Sequence, residues 1–254
     1  MRVRILGCGT SSGVPRIGND WGACDPTEPR NRRTRVSALI ETESTRILID
    51  TGPDLRAQLN DAKVATVDAI IWTHDHADHT HGIDDVRQLF HNGGRPVRGL
   101  ARATTMHALR QRFGYVFAGA EGYRPTATID VLEDELTIGD IRIRCVDQPH
   151  GTITSAGLRF DHADSSIVYS TDFNILTPIM HKLYEGADVW IVDSLREQPH
   201  PSHPHLSATL GWIESLRVGR AVLIHMDNSM DYATLAARLP PHVEPGYDGL
   251  EIAL

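Results

Sequence analysis

The sequence predicts an α/β protein made of two β-sheets packed face to face, with helices outside and one site along a shared edge. Three observations predict it. Strand-like and helix-like stretches alternate along the chain. Hairpin signals fall in both halves, at Glu43-Ser44 and at Gly139-Asp140. Apolar strands also end repeatedly in an abrupt His or Asp, at Asp50, His74, His150, Asp172, Asp193 and His225. α/β proteins bind ligands beyond the carboxyl ends of their strands, so these ends imply one shared site.

The first half reads as follows. Val3 to Leu6 is a strand, and Gly7-Cys8-Gly9-Thr10-Ser11-Ser12-Gly13 a tight small-residue turn. It lacks the Lys-Ser/Thr ending of a phosphate-cradling P-loop. Residues 15–35 form a long loop carrying Arg30, Arg32, Arg33 and Arg35. It is either a solvated loop or a source of an arginine that greets a phosphate, with Arg33 as the candidate. Val36–Glu41 and Arg46–Asp50 make a hairpin, and Pro53–Ala62 a short helix with Pro in its first turn. Ala69–Trp72 is a buried strand. The stretch His74-Asp75-His76-Ala77-Asp78-His79-Thr80-His81 follows it, a dense set of nitrogen and oxygen donors suited to Zn, Mn or Fe. Ile83, Val86, Leu89 and Phe90 recur at helical spacing and predict a helix over about 80–91. Pro96–Ala101 reads as a strand, Thr104–Phe113 as a helix, and Gly114–Thr128 as an irregular, mobile cover.

The second half repeats the scheme. Leu136–Ile138 and Ile141–Val146 pair as a hairpin that runs on to His150. Ser155–Phe160 and Ser166–Ser170 pair over His162-Ala163-Asp164 and run into Asp172. Ile175–Tyr184 is a helix and Ala187–Val192 a strand ending at Asp193. A helix over about 206–217 follows, then a strand Ala221–Ile224 ending at His225, a helix Tyr232–Leu239 and a strand Leu250–Ala253.

Composition narrows the function classes. The net charge of −8 argues against a stable nucleic-acid complex, which needs a basic footprint, but not against a small phosphorylated substrate. Cys8, Cys24 and Cys145 are too scattered for a disulfide framework and fit a reduced, cytoplasmic setting. The N-terminal stretch is too poor in apolar residues for a signal peptide, and no run is long enough to span a membrane.

His74-x-His76-x-Asp78-His79, His150, Asp172 and His225, in this order, resemble the metallo-β-lactamase-fold hydrolases. The resemblance covers essentially the whole chain, 1–254, as a single domain whose β-rich halves span about 1–125 and 126–254. It implies a four-layered αββα sandwich of two mixed sheets and a centre of two divalent ions, Mn²⁺ or Zn²⁺. One ion would be held by His74, His76 and His150, the other by Asp78, His79 and His225, with Asp172 bridging. Gly7–Pro15, Asn31-Arg32-Arg33, Ile49–Asp54, Gly82–Asp85 and Pro199–Ser207 are similar to the phosphoribosyl cyclic phosphate phosphodiesterase branch. Members of that branch can carry a structural zinc in a C-x-C-x-x-C loop. The matching positions here are Asn19, Trp21 and Cys24, so that zinc is expected to be absent.

The chemistry expected from such a centre is hydrolytic. Two divalent ions about 3.5–4 Å apart make a bridging hydroxide at neutral pH and clamp a phosphoryl oxygen. Asp78 would orient that nucleophile. His203 or His205 would contact the phosphate and protonate the leaving oxygen, with His205 favoured. Asp50, Asp85 and Asp193 are expected to hold ligand histidines in orientation. Each of these residues has a plainer reading: Asp172 as a helix cap, His150 and His225 as satisfied core histidines, His203 and His205 as bystanders near a helix start. The expected activity is a phosphodiesterase on a small cyclic or nucleotide-like phosphodiester. The alternatives are a carbonyl hydrolase (thioester, lactone or β-lactam), tRNA 3′-end processing, and a non-enzymatic carrier like relatives that assist quinone-cofactor export. No membrane partner is expected, and a homodimer is compatible with the sequence.

Overall fold

The computed structural model describes residues 1–120 and 122–254. In chain order the strands are β1 (Arg2–Gly7), β2 (Ser37–Glu41), β3 (Arg46–Ile49), β4 (Ala69–Trp72), β5 (Arg98–Ala101), β6 (Asp130–Val131), β7 (Glu135–Ile138), β8 (Ile141–His150), β9 (Ile153–His162), β10 (Ser165–Ser170), β11 (Val189–Asp193), β12 (Arg220–Ile224), β13 (Val243–Pro245) and β14 (Glu251–Ala253). The helices are α1 (Leu55–Asp61), α2 (Ala77–Thr80), α3 (Val86–Gly93), α4 (Ala103–Arg112), α5 (Gly114–Ala118), α6 (Pro178–Tyr184), α7 (Leu206–Leu216) and α8 (Tyr232–Ala236).

The strands form two seven-stranded sheets, ordered β14-β1-β2-β3-β4-β5-β6 and β13-β12-β11-β10-β9-β8-β7. Each is mixed: β14 to β3 are antiparallel and β3 to β6 parallel, while β7 to β10 are antiparallel and β10 to β13 parallel. The two sheets flanked by helices are the αββα sandwich expected.

The period-two alternation of strands explains the layers. Ile47 and Ile49 of β3, with Ala69 and Ile71 of β4, face the second sheet and share one core with Ile143, Leu158, Tyr169, Ile191 and Val222. Their neighbours Leu48, Ile70 and Trp72 point the other way and pack on Leu55, Leu59, Val86, Leu89 and Leu109 of the outer helices. A strand buried on both faces reads as a continuous apolar run, which is how β4 looks in sequence.

Two expectations are corrected. Residues 80–91 are not one helix: α2 ends at Thr80, a 3₁₀ turn covers Ile83–Asp85, and α3 starts at Val86. The break comes from Gly82, whose backbone N–H donates to Thr51 O at 2.8 Å. A Cβ on Gly82 would lie 2.0 Å from Gly52 O, so only glycine permits this approach. Within Gly114–Thr128, residues Gly114–Ala118 are α5 rather than irregular chain, with Val116 buried against the outer core. Residue 121 of that stretch lies outside the described residues.

Candidate metal centre

The histidine cluster is delivered by the carboxyl ends of β4, β8, β10, β11 and β12. Asp50, Asp172 and His225, each just past a strand, have left-handed backbones with φ of 63°, 54° and 56°. This conformation turns each chain sharply away and leaves its side chain over the sheet edge. It costs a non-glycine residue roughly 1–2 kcal/mol.

The donors fall into overlapping groups. Donor atoms of His74, His76, His150 and Asp172 lie within 4.8 Å of one another, as do those of Asp78, His79 and His225. The Asp172 carboxylate stands between them. Its Oδ1 is 3.7 Å from His74 Nε2 and 3.5 Å from His150 Nε2, and its Oδ2 is 3.2 Å from His79 Nε2 and 3.6 Å from His225 Nε2. Asp78 Oδ2 lies 3.5 Å from His79 Nε2 and 3.6 Å from His225 Nε2. His76 is exposed at the mouth, with Nδ1 3.4 Å from His150 Nε2, while the other donors are buried.

An outer layer orients these rings. His79 Nδ1 donates to Asp50 Oδ2 at 2.7 Å, and Asp50 is itself held by the Thr73 N–H (2.7 Å) and hydroxyl (2.8 Å). His150 Nδ1 donates to Ser202 O at 2.9 Å, and the Thr73 hydroxyl lies 3.1 Å from His74 Nδ1. Asp193 Oδ2 accepts from the Asp172 N–H at 3.0 Å and from His203 Nδ1 at 2.8 Å, while its Oδ1 is 3.9 Å from His225 Nδ1.

Charge inside the metal-free cluster is uneven. Burial pushes His74 and His150 below the usual histidine range. Burial would also lower His79, but the carboxylates of Asp172, Asp78 and Asp50 outweigh it and raise it well above that range. Likewise Asp172 and Asp193 overcome burial and lift His225 to about 9. Burial opposes ionisation of Asp172 and Asp78, but the surrounding histidines hold both below the usual carboxylate range.

The residues fit a bound cation. His74 Nε2, His79 Nε2 and His225 Nε2 are buried and make no hydrogen bond. A buried polar atom left unpaired costs about 1–3 kcal/mol. Three such nitrogens around one carboxylate form a cage that a divalent metal satisfies, and the donors, all N and O, suit Zn, Mn or Fe.

Three expectations about individual residues are corrected. His203, not His205, reaches the cluster. Its ring stacks on His225 with centroids 4.8 Å apart, and its Nε2 is 3.8 Å from Asp172 Oδ1. His205 is the N-cap residue of α7, half-buried, and makes no hydrogen bond or ion pair with the cluster among the described residues. The single residue between them, Pro204, leaves the two rings with different surroundings. Arg33 is not available to a substrate: it is 1% exposed, and its guanidinium donates to Asp227 O at 3.1 Å and to Met230 O. It fastens the 15–35 loop to the segment after His225. Asp85 ends the 3₁₀ turn, and its carboxylate orients no cluster histidine among the described residues.

Thr73, Ser202 and Arg112 escaped the sequence reading. Arg112 donates to both the carbonyl and the carboxylate of Asp75, between His74 and His76. Thr73 had a signal, a hydroxyl next to the first histidine. Ser202 acts through a carbonyl and Arg112 comes from a distant helix, so neither had one.

Comparison with known proteins places this geometry. A family model described as "Beta-lactamase superfamily domain" matches residues 45–226. The chain is 30% identical over 261 residues to an octanoyltransferase of Porphyromonas gingivalis, covering 99% of this chain and 51% of that protein. It is 30% identical over 138 residues to a ribonuclease Z of Methanopyrus kandleri, covering 50% of this chain and 44% of that protein. The chain thus spans about half the length of these curated relatives. A crystal structure of a diphosphatase from the PhnP family superposes with a TM-score of 0.91 at 30% identity, covering 100% of this chain and 97% of that one.

Proposed function

Since the chain belongs to the beta-lactamase superfamily and is a metal-dependent hydrolase, we propose that it is a phosphodiesterase acting on a small cyclic or nucleotide-like phosphodiester. Residues 1–254 act as one catalytic domain holding two divalent ions, Mn²⁺ or Zn²⁺. The observation that carries this reading is the Asp172 carboxylate, with one oxygen turned to His74 and His150 and the other to His79 and His225. The similarity to a PhnP-family diphosphatase supports phosphorus rather than a carbonyl as the centre attacked. The net charge of −8 supports a small substrate over a polyanion, despite the partial match to ribonuclease Z.

His74, His76 and His150 would hold one ion, Asp78, His79 and His225 the other, and Asp172 both. Such ions supply an acidified water and a sink for phosphoryl charge. The remaining work belongs to side chains. Asp78 keeps its second carboxylate oxygen to accept a hydrogen bond from the attacking water. His203 donates a hydrogen bond from its Nδ1–H to Asp193 Oδ2 and keeps that proton, which fixes the ring so that Nε2 faces the cluster. A proton on Nε2 then meets the phosphate and passes to the leaving oxygen. Asp50 holds His79 through the same kind of bond.

The octanoyltransferase likeness does not support acyl transfer through a thiolate here. Cys8, Cys24 and Cys145 are all buried, and burial raises each thiol, Cys145 to about 12.

The test is hydrolysis of bis(p-nitrophenyl) phosphate by metal-stripped protein reloaded with Mn²⁺ or Zn²⁺, beside thioester and β-lactam substrates. Metal-dependent phosphodiester turnover that disappears with Asp172→Ala is expected. Bound metal with no phosphodiester turnover would sink the reading in favour of a carbonyl hydrolase or a carrier.

A further inference from the structure

Beside the ligand stretch lies a cavity of about 540 Å³ that the chemistry above does not use. Its walls are the 3₁₀ turn and α3 on one side, and described residues of 115–120 and 122–126 on the other. Three aromatic rings line it, Phe90, Tyr115 and Tyr123, together with Arg87, Arg124 and Asp84. Tyr115 and Tyr123 are 48% and 69% exposed, so two large rings face solvent around one hollow. Rings in that position stay uncovered unless something stacks on them. The Arg87 guanidinium already sits over the Tyr123 ring, 5.4 Å from its centroid, which sets a flat platform before any ligand arrives.

The polar groups are placed as well. Tyr115 donates its hydroxyl to Asp84 Oδ1. Burial and that neighbouring carboxylate push the hydroxyl up to about 12, so it remains a donor. Asp84 Oδ2 is left to accept from an exocyclic amine. Arg87 and Arg124 give the hollow a positive surplus over Asp84 in a protein whose net charge is −8.

We propose that this cavity binds a nucleotide, its base against Tyr115, Tyr123 and Phe90 and its phosphate charge met by Arg87 and Arg124. The cavity adjoins the metal-ligand stretch. Asp84 follows His79 by five residues, Phe113 packs edge-on against His81 at 5.6 Å, and Arg112 grips Asp75. The nucleotide is therefore either the distal part of the substrate or a free nucleotide bound beside it. Only the first source rests on the phosphodiesterase reading.

Calorimetric titration of the metal-loaded full chain tests this without turnover, using adenosine 5′-monophosphate with ribose 5-phosphate as the baseless control. Tighter binding of the nucleotide than of the sugar phosphate is expected, by tenfold or more. Tyr123→Ala and Tyr115→Ala, which remove rings that meet the base, should abolish that advantage, while Arg95→Ala, an exposed arginine outside the cavity, should keep it. Arg87→Ala and Arg124→Ala, which remove the phosphate partners, should instead weaken both ligands alike, and the two tyrosine variants stand in for each other should one fail to fold. Equal affinity for the two ligands, or an advantage that survives both tyrosine variants, overturns the proposal. A kinetic arm separates the sources. Nucleotide that competes with bis(p-nitrophenyl) phosphate, and ceases to in Tyr123→Ala, marks a substrate subsite. Nucleotide that binds without competing marks a separate effector.

Discussion

His79 Nδ1 donates to Asp50 Oδ2 across 2.7 Å, with both residues wholly buried. The bond presents Nε2 of the same ring to Asp78 and Asp172. Asp50 is thus a lever on one half of the cage. Removing an outer partner of a metal-binding histidine typically weakens metal affinity 10–100-fold. On the proposed two-ion reading, Asp50→Asn should let one metal equivalent dissociate about 10–100-fold more easily, with the other retained. Competition with a chelator, read by elemental analysis, checks it, and equal loss of both equivalents would contradict it.

His203 and His205 separate cleanly by substitution. His203→Ala should lower kcat by roughly 10²–10⁴-fold, the range of a lost general acid, with metal content unchanged. His205→Ala should leave kcat near that of the parent, since the ring makes no hydrogen bond or ion pair with the cluster among the described residues. The loss in His203→Ala should shrink for diesters with an acidic leaving group such as p-nitrophenol, which needs no proton. A uniform loss across leaving groups would argue for a structural role only.

Asp248 ties the chain end to the loop near β1. It accepts from the Cys8 N–H at 3.0 Å and from the Thr34 N–H and hydroxyl at 2.7 and 2.6 Å. Burial nevertheless pushes its carboxyl up to about 6 from 3.8. Between those values the folded protein binds the proton that the unfolded chain has released, so stability falls as pH rises through the window. The full effect is about 3 kcal/mol, reached above pH 6 and absent below pH 4. Asp248→Asn lacks this titration. The stability difference between parent and variant should therefore shift by up to that amount between pH 4 and 7, in favour of the variant. Urea unfolding at fixed metal loading measures it, and a pH-independent difference would count against the assignment.

Gly157 has no room for a methyl group. A Cβ there would lie 1.7 Å from the Tyr184 hydroxyl, which donates to Gln148 Oε1 at 2.9 Å in the core. Gly157→Ala should cost about 1–3 kcal/mol, as overpacking does. Tyr184→Phe in the same protein should recover part of that cost by removing the clashing oxygen. A double-mutant cycle from thermal unfolding gives the coupling, and strict additivity would show that the clash is relieved elsewhere.

Much of this molecule was legible before its structure, for physical reasons. β4 and the stretch after it could be read because doubly buried strands are continuous apolar runs and metal donors are rare residue types at tight spacing. Asp172 and His225 could be read only together with that stretch, since either alone passes for a cap or a core histidine. β6 and β13 were missed because two- and three-residue strands carry no periodicity. The break at Gly82 was missed because its cause is Gly52, distant in sequence. Arg33 was misjudged for the converse reason. Charge is visible in sequence, but the carbonyls of Asp227 and Met230 that bury it are not.

The left-handed backbones at Asp50, Asp172 and His225 set a direction for evolutionary drift. Each residue adopts a conformation that glycine accepts more readily, and each has its side chain in the cluster. A descendant released from hydrolysis could gain stability at these three positions by exchange to glycine or asparagine, at no cost to the sheets. Relatives that keep the sandwich but lack the reaction should therefore show glycine or asparagine there before their cores diverge. An intact trio is expected wherever the cluster is still in use.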